Sequence, residues 1–147
     1  ANLVRPVASG RLVLHATAGA TAGPDVPQQE RVFFGGPVTG PGFDYHALSS
    51  NSGVSGRVEW WHPLVSTPLS LGRFGKVPIG VTFAPFAQGI WLDAPGRGST
   101  RSAGWFSAAG LSLATLFDLV RFDVARGLRG GRWTFSVDFT REFWRIL

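Results

Sequence analysis

The chain has 147 residues, enough for one domain with a real core, and no cysteine, which excludes disulfides and thiolate metal sites. Charged residues are 16% of it, against about 25% in an average soluble domain. The net charge of +5 comes almost wholly from arginines spread singly along the chain (Arg57, Arg73, Arg97, Arg101, Arg121, Arg126, Arg129), a distribution that argues against a nucleic-acid partner.

Gly 20, Phe 12 and Trp 6 against Tyr 1 describe a β-rich, turn-rich chain. No apolar run reaches the roughly 18 residues that a membrane-crossing helix needs, a requirement a β-barrel does not share. The chain starts without Met and without a signal-peptide pattern, so it reads as processed or as cut from something longer.

In chain order, residues 1–10 hold Pro6 and Gly10 and read as a lead-in or the end of an earlier strand. Arg11 to Thr21 is a first strand, with Leu12, Leu14, Ala16 and Ala18 on one face and Val13, His15 and Thr17 on the other. Ala22 to Glu30 is loop. Arg31 to Ser52 combines Gly35, Gly36, Gly40 and Gly42 with Phe33, Phe34, Phe43 and Tyr45. Exposed loops rarely carry so many aromatics, and the connection over 22–52 is far longer than a hairpin turn, so it reads as a functional loop or plug. Two placements stay open for it: entry into a barrel lumen, or a long extracellular loop.

Gly53 to Leu64 is a second strand ended by Pro63. Val54, Gly56, Val58 and Trp60 share one face; Arg57, Glu59 and Trp61 share the other. Val65 to Lys76 reads as a turn region and Val77 to Leu92 as a third strand, with a bulge or kink at Pro85. Asp93 to Ser102 is a polar loop. Ala103 to Thr115 is a fourth strand, with Trp105, Ala109, Leu111 and Leu113 in phase, and Leu119 to Arg126 a fifth, with Val120, Phe122 and Val124 opposite Arg121, Asp123 and Ala125. A helix over 112–126 competes there, because Leu113, Leu116, Phe117, Val120 and Val124 also share a helical face, but the strict alternation from Val120 to Val124 and the glycine turn after it favour strands. After a glycine turn at 127–131, the chain alternates strictly: Trp133, Phe135, Val137 and Phe139 point one way, Arg132, Thr134, Ser136, Asp138 and Thr140 the other. Trp144 breaks this parity, leaving Phe143 to Leu147 unplaced.

The expected fold is therefore all-β, an antiparallel meander of about six strands forming part of a transmembrane β-barrel, with residues 1–147 as a single C-terminal barrel segment. Six strands fall short of the roughly eight of the smallest single-chain barrel. Arg57, Glu59, Arg121, Asp123 and Asp138 lie opposite the apolar faces and would line the lumen; a solvated sheet face has the same parity. His15, His46 and His62 lie in separate elements with no ligand spacing, no G-x-S-x-G elbow occurs, and no Lys-Ser/Thr follows the glycines; no metal, cofactor or catalytic role is expected.

The order of these pieces resembles the C-terminal half-barrel of the bacterial surface antigen superfamily, the BamA-like outer-membrane β-barrels. F-F-G-G-P-V-T-G-P-G-F-D-Y-H-A-L is similar to the family's long loop, G-V-S-G-R-V-E-W-W-H-P-L to the strand after it, and S-A-G-W-F-S-A-A-G-L-S-L, L-V-R-F-D-V-A-R-G-L and G-R-W-T-F-S-V-D-F to its last three strands. The resemblance implies a non-catalytic role in inserting or exporting proteins at the bacterial outer membrane. It implies membrane lipid, the remaining strands of a larger barrel and other outer-membrane or periplasmic proteins as partners. Gly35, Gly36, Gly40, Gly42 and Phe43 would form the loop motif, and Trp133, Phe135, Val137 and Phe139 the insertion signal. Pro41 stands where the family has a lumen-directed arginine. Two alternatives accompany this reading. One is a passive anchor or pore barrel. The other is a soluble lipocalin-like barrel binding an apolar ligand, which requires Trp60, Phe83, Trp105 and Phe135 to point inward.

Overall fold

A computed structural model of the chain describes residues 1–23, 26–70, 72–93, 103–116 and 118–139. Among these residues nine strands and one short α-helix follow one another: β1 (Asn2–Val7), β2 (Gly10–Ala20), β3 (Val32–Phe34), α1 (Gly36–Thr39), β4 (Leu48–Ser50), β5 (Ser52–Ser70), β6 (Lys76–Leu92), β7 (Gly104–Thr115), β8 (Val120–Gly127) and β9 (Trp133–Phe139). Seven of them make one sheet in the order β1-β2-β5-β6-β7-β8-β9. Every neighbouring pair is antiparallel. The sheet is an open meander: β1 and β9 are its edges. β3 and β4 pair separately within the long loop.

Period-two alternation gives each strand two unlike faces, and the burial of those faces is inverted relative to a water-soluble sheet. Val54, Val58, Trp60, Trp91, Trp105, Leu111, Leu113, Phe122, Val124 and all four apolar residues of β9 are exposed. Ser55, Arg57, Glu59, Gln88, Ser112 and Asp123, from the opposite face, are buried. The inner face is layered along the strands. At the loop end, Ile90, Leu92, Phe106 and Ala108 pack with Phe34, Phe43 and Leu48 of the loop. Charged residues occupy the middle. At the far end Val13, Trp61, Ala84 and Ala114 form a second cluster.

The sheet curls toward this inner face. β5 and β8 are separated by β6 and β7, so in a flat sheet they would lie about 14 Å apart at the usual strand spacing. Arg121 of β8 nevertheless reaches Glu59 of β5 at 3.0 Å. Arg11 of β2 likewise meets Asp118, in the turn between β7 and β8, at 3.0 Å, and Thr82 Oγ1 donates to the same carboxylate at 2.8 Å.

Three sequence expectations change. The sheet has seven strands rather than six: β1 forms despite Pro6, because an edge strand needs ladder bonds on one side only. The second strand does not end at Pro63 and Val65 to Lys76 is not a turn region. β5 runs to Ser70, and a 3-10 turn at Gly72–Phe74 precedes β6, which starts at Lys76. The register shifts between Pro63 and Val65, a bulge that accommodates the proline; at Pro85 the pairing with β7 runs on unbroken opposite Leu111, while the pairing with β5 is interrupted between Glu59 and His62 without a change of register. Over 112–126 the two strands that the alternation favours form, and the competing helix does not. β7 and β8 meet at a turn in which Leu116 (φ 52°) and Asp118 (φ 62°) are left-handed, which ends any helical path. Thr140 and residues 143–147 lie outside the described residues, as do Arg97 and Arg101.

Candidate functional site: a charged inner wall and the loop folded onto it

The middle of the inner face is a closed set of charges, two arginines against two carboxylates. Glu59, only 2% exposed, takes a two-pronged pair of bonds from Arg121: Nη1 to Oε2 at 3.0 Å and Nη2 to Oε1 at 3.0 Å. The same guanidinium donates from Nε to Asp123 Oδ1 at 2.7 Å and from Nη2 to Ser112 Oγ at 2.6 Å. Trp61 Nε1 adds a bond to Glu59 Oε2 at 2.7 Å. Planar fork-to-carboxylate geometry of this kind is what arginine supplies and lysine does not.

Arg57 is held differently. Its Nε lies 2.5 Å from Glu59 Oε1 and its Nη2 3.6 Å from Asp123 Oδ2, yet neither nitrogen has a well-aligned hydrogen bond. Charge and stacking hold it instead: the guanidinium carbon sits 3.7 Å from the Phe86 ring centroid. The set carries no net charge, which is what allows four ionised groups to lie out of water together.

Of the residues expected to line the lumen, Arg57, Glu59, Arg121 and Asp123 come together here. Asp138 does not join the ion pairs among the described residues. It lies opposite Arg121 in the β8–β9 register, half-buried, and its Oδ1 accepts the N–H of Phe139 at 2.8 Å. Trp133, Phe135, Val137 and Phe139 form the exposed face of β9.

Toward the loop end, the glycine-rich segment folds onto the wall. Thr39 Oγ1 closes a tight turn on Gly35, accepting from its N–H at 3.2 Å and donating to its carbonyl at 2.8 Å. Gly36 N–H donates to Phe43 O at 3.0 Å and Phe43 N–H to Gly40 O at 3.1 Å, so the tip is a compact knot rather than an extended strand. Gln88 Nε2 on the wall ties this knot down through Thr39 O at 2.8 Å and Ser55 Oγ at 2.7 Å. Phe34 and Phe43 drive the docking: both are buried, and Phe43 meets Phe106 edge-on at 6.0 Å.

The tip itself is seated on the β8–β9 turn. Gly42 N–H donates to Thr134 Oγ1 at 2.9 Å, Arg132 N–H donates to Gly42 O at 2.9 Å, and Arg132 pairs with Asp44. Gly42 has φ 85°, and a Cβ there would run into the backbone of Arg126 and Gly127. Glycine is thus required twice, by conformation and by the approach of a second backbone. Pro41 is fully buried at the tip. The acids that a loop arginine would meet are already answered by Arg57 and Arg121 of the wall itself.

Ser112 carried no sequence sign of its bond to Arg121, and Thr134 and Arg132 gave no local sign of holding the loop tip. Thr134→Val is expected to cost about 1–2 kcal/mol, because the Gly42 N–H loses its acceptor. A lower urea midpoint together with faster exchange of the Gly42 amide would register it.

No cluster of metal-binding side chains occurs among the described residues, and no helix there is long and apolar enough to cross a membrane. No model of a known protein family matches the chain, and neither a curated protein nor a solved structure matches it.

Proposed function

We propose that the chain is a wall segment of a bacterial outer-membrane β-barrel of the protein assembly and translocation kind, non-catalytic, acting in the insertion or export of proteins. The observation that carries the reading is the inverted sheet: charges inside, aromatics and aliphatics outside. In water that arrangement exposes an apolar surface far larger than a monomer tolerates, whereas against acyl chains it costs nothing. Dimensions agree. The twelve residues of β7 rise about 40 Å along the strand and about 28 Å along an axis tilted by roughly 45°, close to the height of a bilayer's apolar core.

The folded-in loop supports the translocation part of the proposal. A segment knotted onto the inner wall and latched at the last hairpin is placed to brace or obstruct a lumen. The soluble lipocalin-like reading requires Trp60, Phe83, Trp105 and Phe135 to be directed inward. Trp60, Trp105 and Phe135 are exposed on the opposite side, and Phe83 shares their parity.

Phe135, 68% exposed and near the middle of β9, supplies the test. In a bilayer, Phe135→Arg is expected to destabilise the protein by about 2–4 kcal/mol, the cost of a guanidinium at mid-depth on a lipid face. The same change on a water-facing position would be close to neutral. Urea unfolding in lipid vesicles reads the difference, and a stable monomer of the unaltered chain in detergent-free buffer would sink the membrane proposal outright.

A further inference from the structure

We propose that the end of the β5–β6 hairpin, 65–70 with 76–81, is a membrane-surface foot. Its apolar face seats in the headgroup layer of the leaflet on the short-turn side, and its basic tip holds anionic phospholipid there. The proposal rests on the barrel reading above and adds a contact that a membrane-crossing wall does not by itself require.

The hairpin overshoots its neighbours. β2 pairs with β5 as far as Trp61, and β7 pairs with β6 as far as Val81. From Ser66 opposite Gly80 to Ser70 opposite Lys76, the two strands pair only with each other among the described residues. The overshoot is about 17 Å at the usual rise per residue. The twelve residues of β7 already match the height of the apolar core, so this end emerges from it. It emerges on a defined side. The connections at that end are 8–9, 71–75 and 116–119; those at the other end are 21–51, 93–103 and 128–132. In outer-membrane barrels the short turns are periplasmic, and a hairpin standing out past its neighbours there departs from that economy.

The two faces of the hairpin say what it meets. β6 keeps one parity, with Trp91, Phe83, Val81 and Ile79 on the outer side. β5 does not. Its outward residues are Val54, Gly56, Val58 and Trp60, but the register shift between Pro63 and Val65 sets Val65 opposite Val81 and Thr67 opposite Ile79. Beyond the bulge, Val65, Thr67 and Leu69 therefore take the outer side, and Ser66, Pro68 and Ser70 the inner. Without the extra residue the two serines would face outward. The bulge thus carries the apolar outer surface of the wall past the end of the membrane core, where Val65, Leu69 and Val81 are exposed. A bulge also bends its strand, and a bend toward the outer side turns this face onto the leaflet.

Charge selects the lipid. Residues 60–92 hold no Asp or Glu, and their charged side chains are Arg73 and Lys76, both exposed at the tip of the hairpin. At that end of the sheet the carboxylate of Asp118 is engaged by Arg11. Long basic side chains beside an apolar face match an anionic headgroup layer: the stems stay with the apolar surface while the charges reach phosphate. Addition of a strand from a partner protein is disfavoured, because Pro68 and Pro78 lie opposite each other and each removes a backbone donor.

The chain has no cysteine, so single engineered thiols report cleanly. The full polypeptide, refolded into vesicles of phosphatidylethanolamine and phosphatidylglycerol, would carry one fluorophore at Leu69→Cys, Ser70→Cys or Phe135→Cys. Lipids with a nitroxide close to the headgroup are expected to quench position 69 several-fold more than position 70, and aqueous iodide to do the reverse. Mid-bilayer nitroxides should reach position 135 and neither of the others. Exchanging phosphatidylglycerol for phosphatidylcholine, or combining Arg73→Gln with Lys76→Gln, should lower the lipid quenching at 69. Thr67→Cys gives the same reading should Leu69→Cys fail to fold. Equal access of iodide to 69 and 70 would overturn the proposal, because the hairpin then stands in water. Protection of 69 from both quenchers would overturn it too, because a protein then covers that face. Lipid quenching at 69 indifferent to phosphatidylglycerol and to both basic residues would overturn the choice of an anionic leaflet. Loss of lipid quenching at position 135 would instead remove the barrel reading on which the foot rests.

Discussion

Glu59→Gln is expected to lower the stability of the sheet by about 3–5 kcal/mol, the range found when one member of a buried ion pair is removed. The size follows from what is left behind. Glu59 accepts two bonds from Arg121 and one from Trp61, and it is the nearest anion to Arg57. Without its charge two guanidinium groups share the single carboxylate of Asp123, which Arg57 approaches no closer than 3.6 Å. A second change decides whether the loss is one of charge balance or of packing. Glu59→Gln with Arg121→Gln restores neutrality while keeping similar volumes, and should recover a substantial part of the loss. Urea midpoints of the wild type, the two single variants and the double variant in vesicles give the coupling directly. A double variant no more stable than Glu59→Gln alone would mean that bond geometry rather than charge holds the wall.

Gly42→Val is the second large effect, about 3–5 kcal/mol, and it should be local. The left-handed φ of 85° costs a β-branched residue about 1–3 kcal/mol. Forcing a side chain against the backbone of the β8–β9 turn adds a similar overpacking cost. The chain can evade both by unseating the tip, which forfeits the bonds to Thr134 and Arg132 and the pairing of Arg132 with Asp44. The seven-stranded sheet does not depend on these contacts. Expected, then, are a β-sheet circular dichroism signal close to wild type and rapid proteolysis within 31–50. Uniform resistance to protease would show that the loop is seated by Phe34 and Phe43 alone.

The sheet was legible in the sequence because its signal is local. Alternation with period two needs only neighbouring residues, and it gave the facing of β2, β5, β7, β8 and β9 before any partner was known. The polar face could be named for the same reason. What it contacts could not: Arg121 finds Glu59 only through register, two intervening strands and the curl of the sheet, none of which is written in a window of residues. Proline misled where its environment was hidden. Pro63 looks like a strand end, but it lies just past the reach of β2, on a stretch with one remaining neighbour, where a missing N–H is tolerated. The glycine-rich loop announced itself by composition; that its tip would rest on the β8–β9 turn rested on Gly127 and Gly131, far away in sequence, leaving room for it.

The long β5–β6 pair has a thermodynamic consequence of its own. β2 stops pairing at Trp61 and β7 at Val81, so 66–70 and 76–80 continue as a ribbon of two strands with no lateral neighbours among the described residues. Leu64 and Val65 at its base and Leu69 on it are exposed, and two-stranded ribbons are marginal in water. The molecule is thus cooperative in its sheet and autonomous in this extension. Amides of 64–70 should exchange with solvent orders of magnitude faster than those of 53–61 on the same continuous strand. One strand therefore spans two regimes of order, a frozen half set by its neighbours and a labile half whose melting point is set by whatever medium surrounds it.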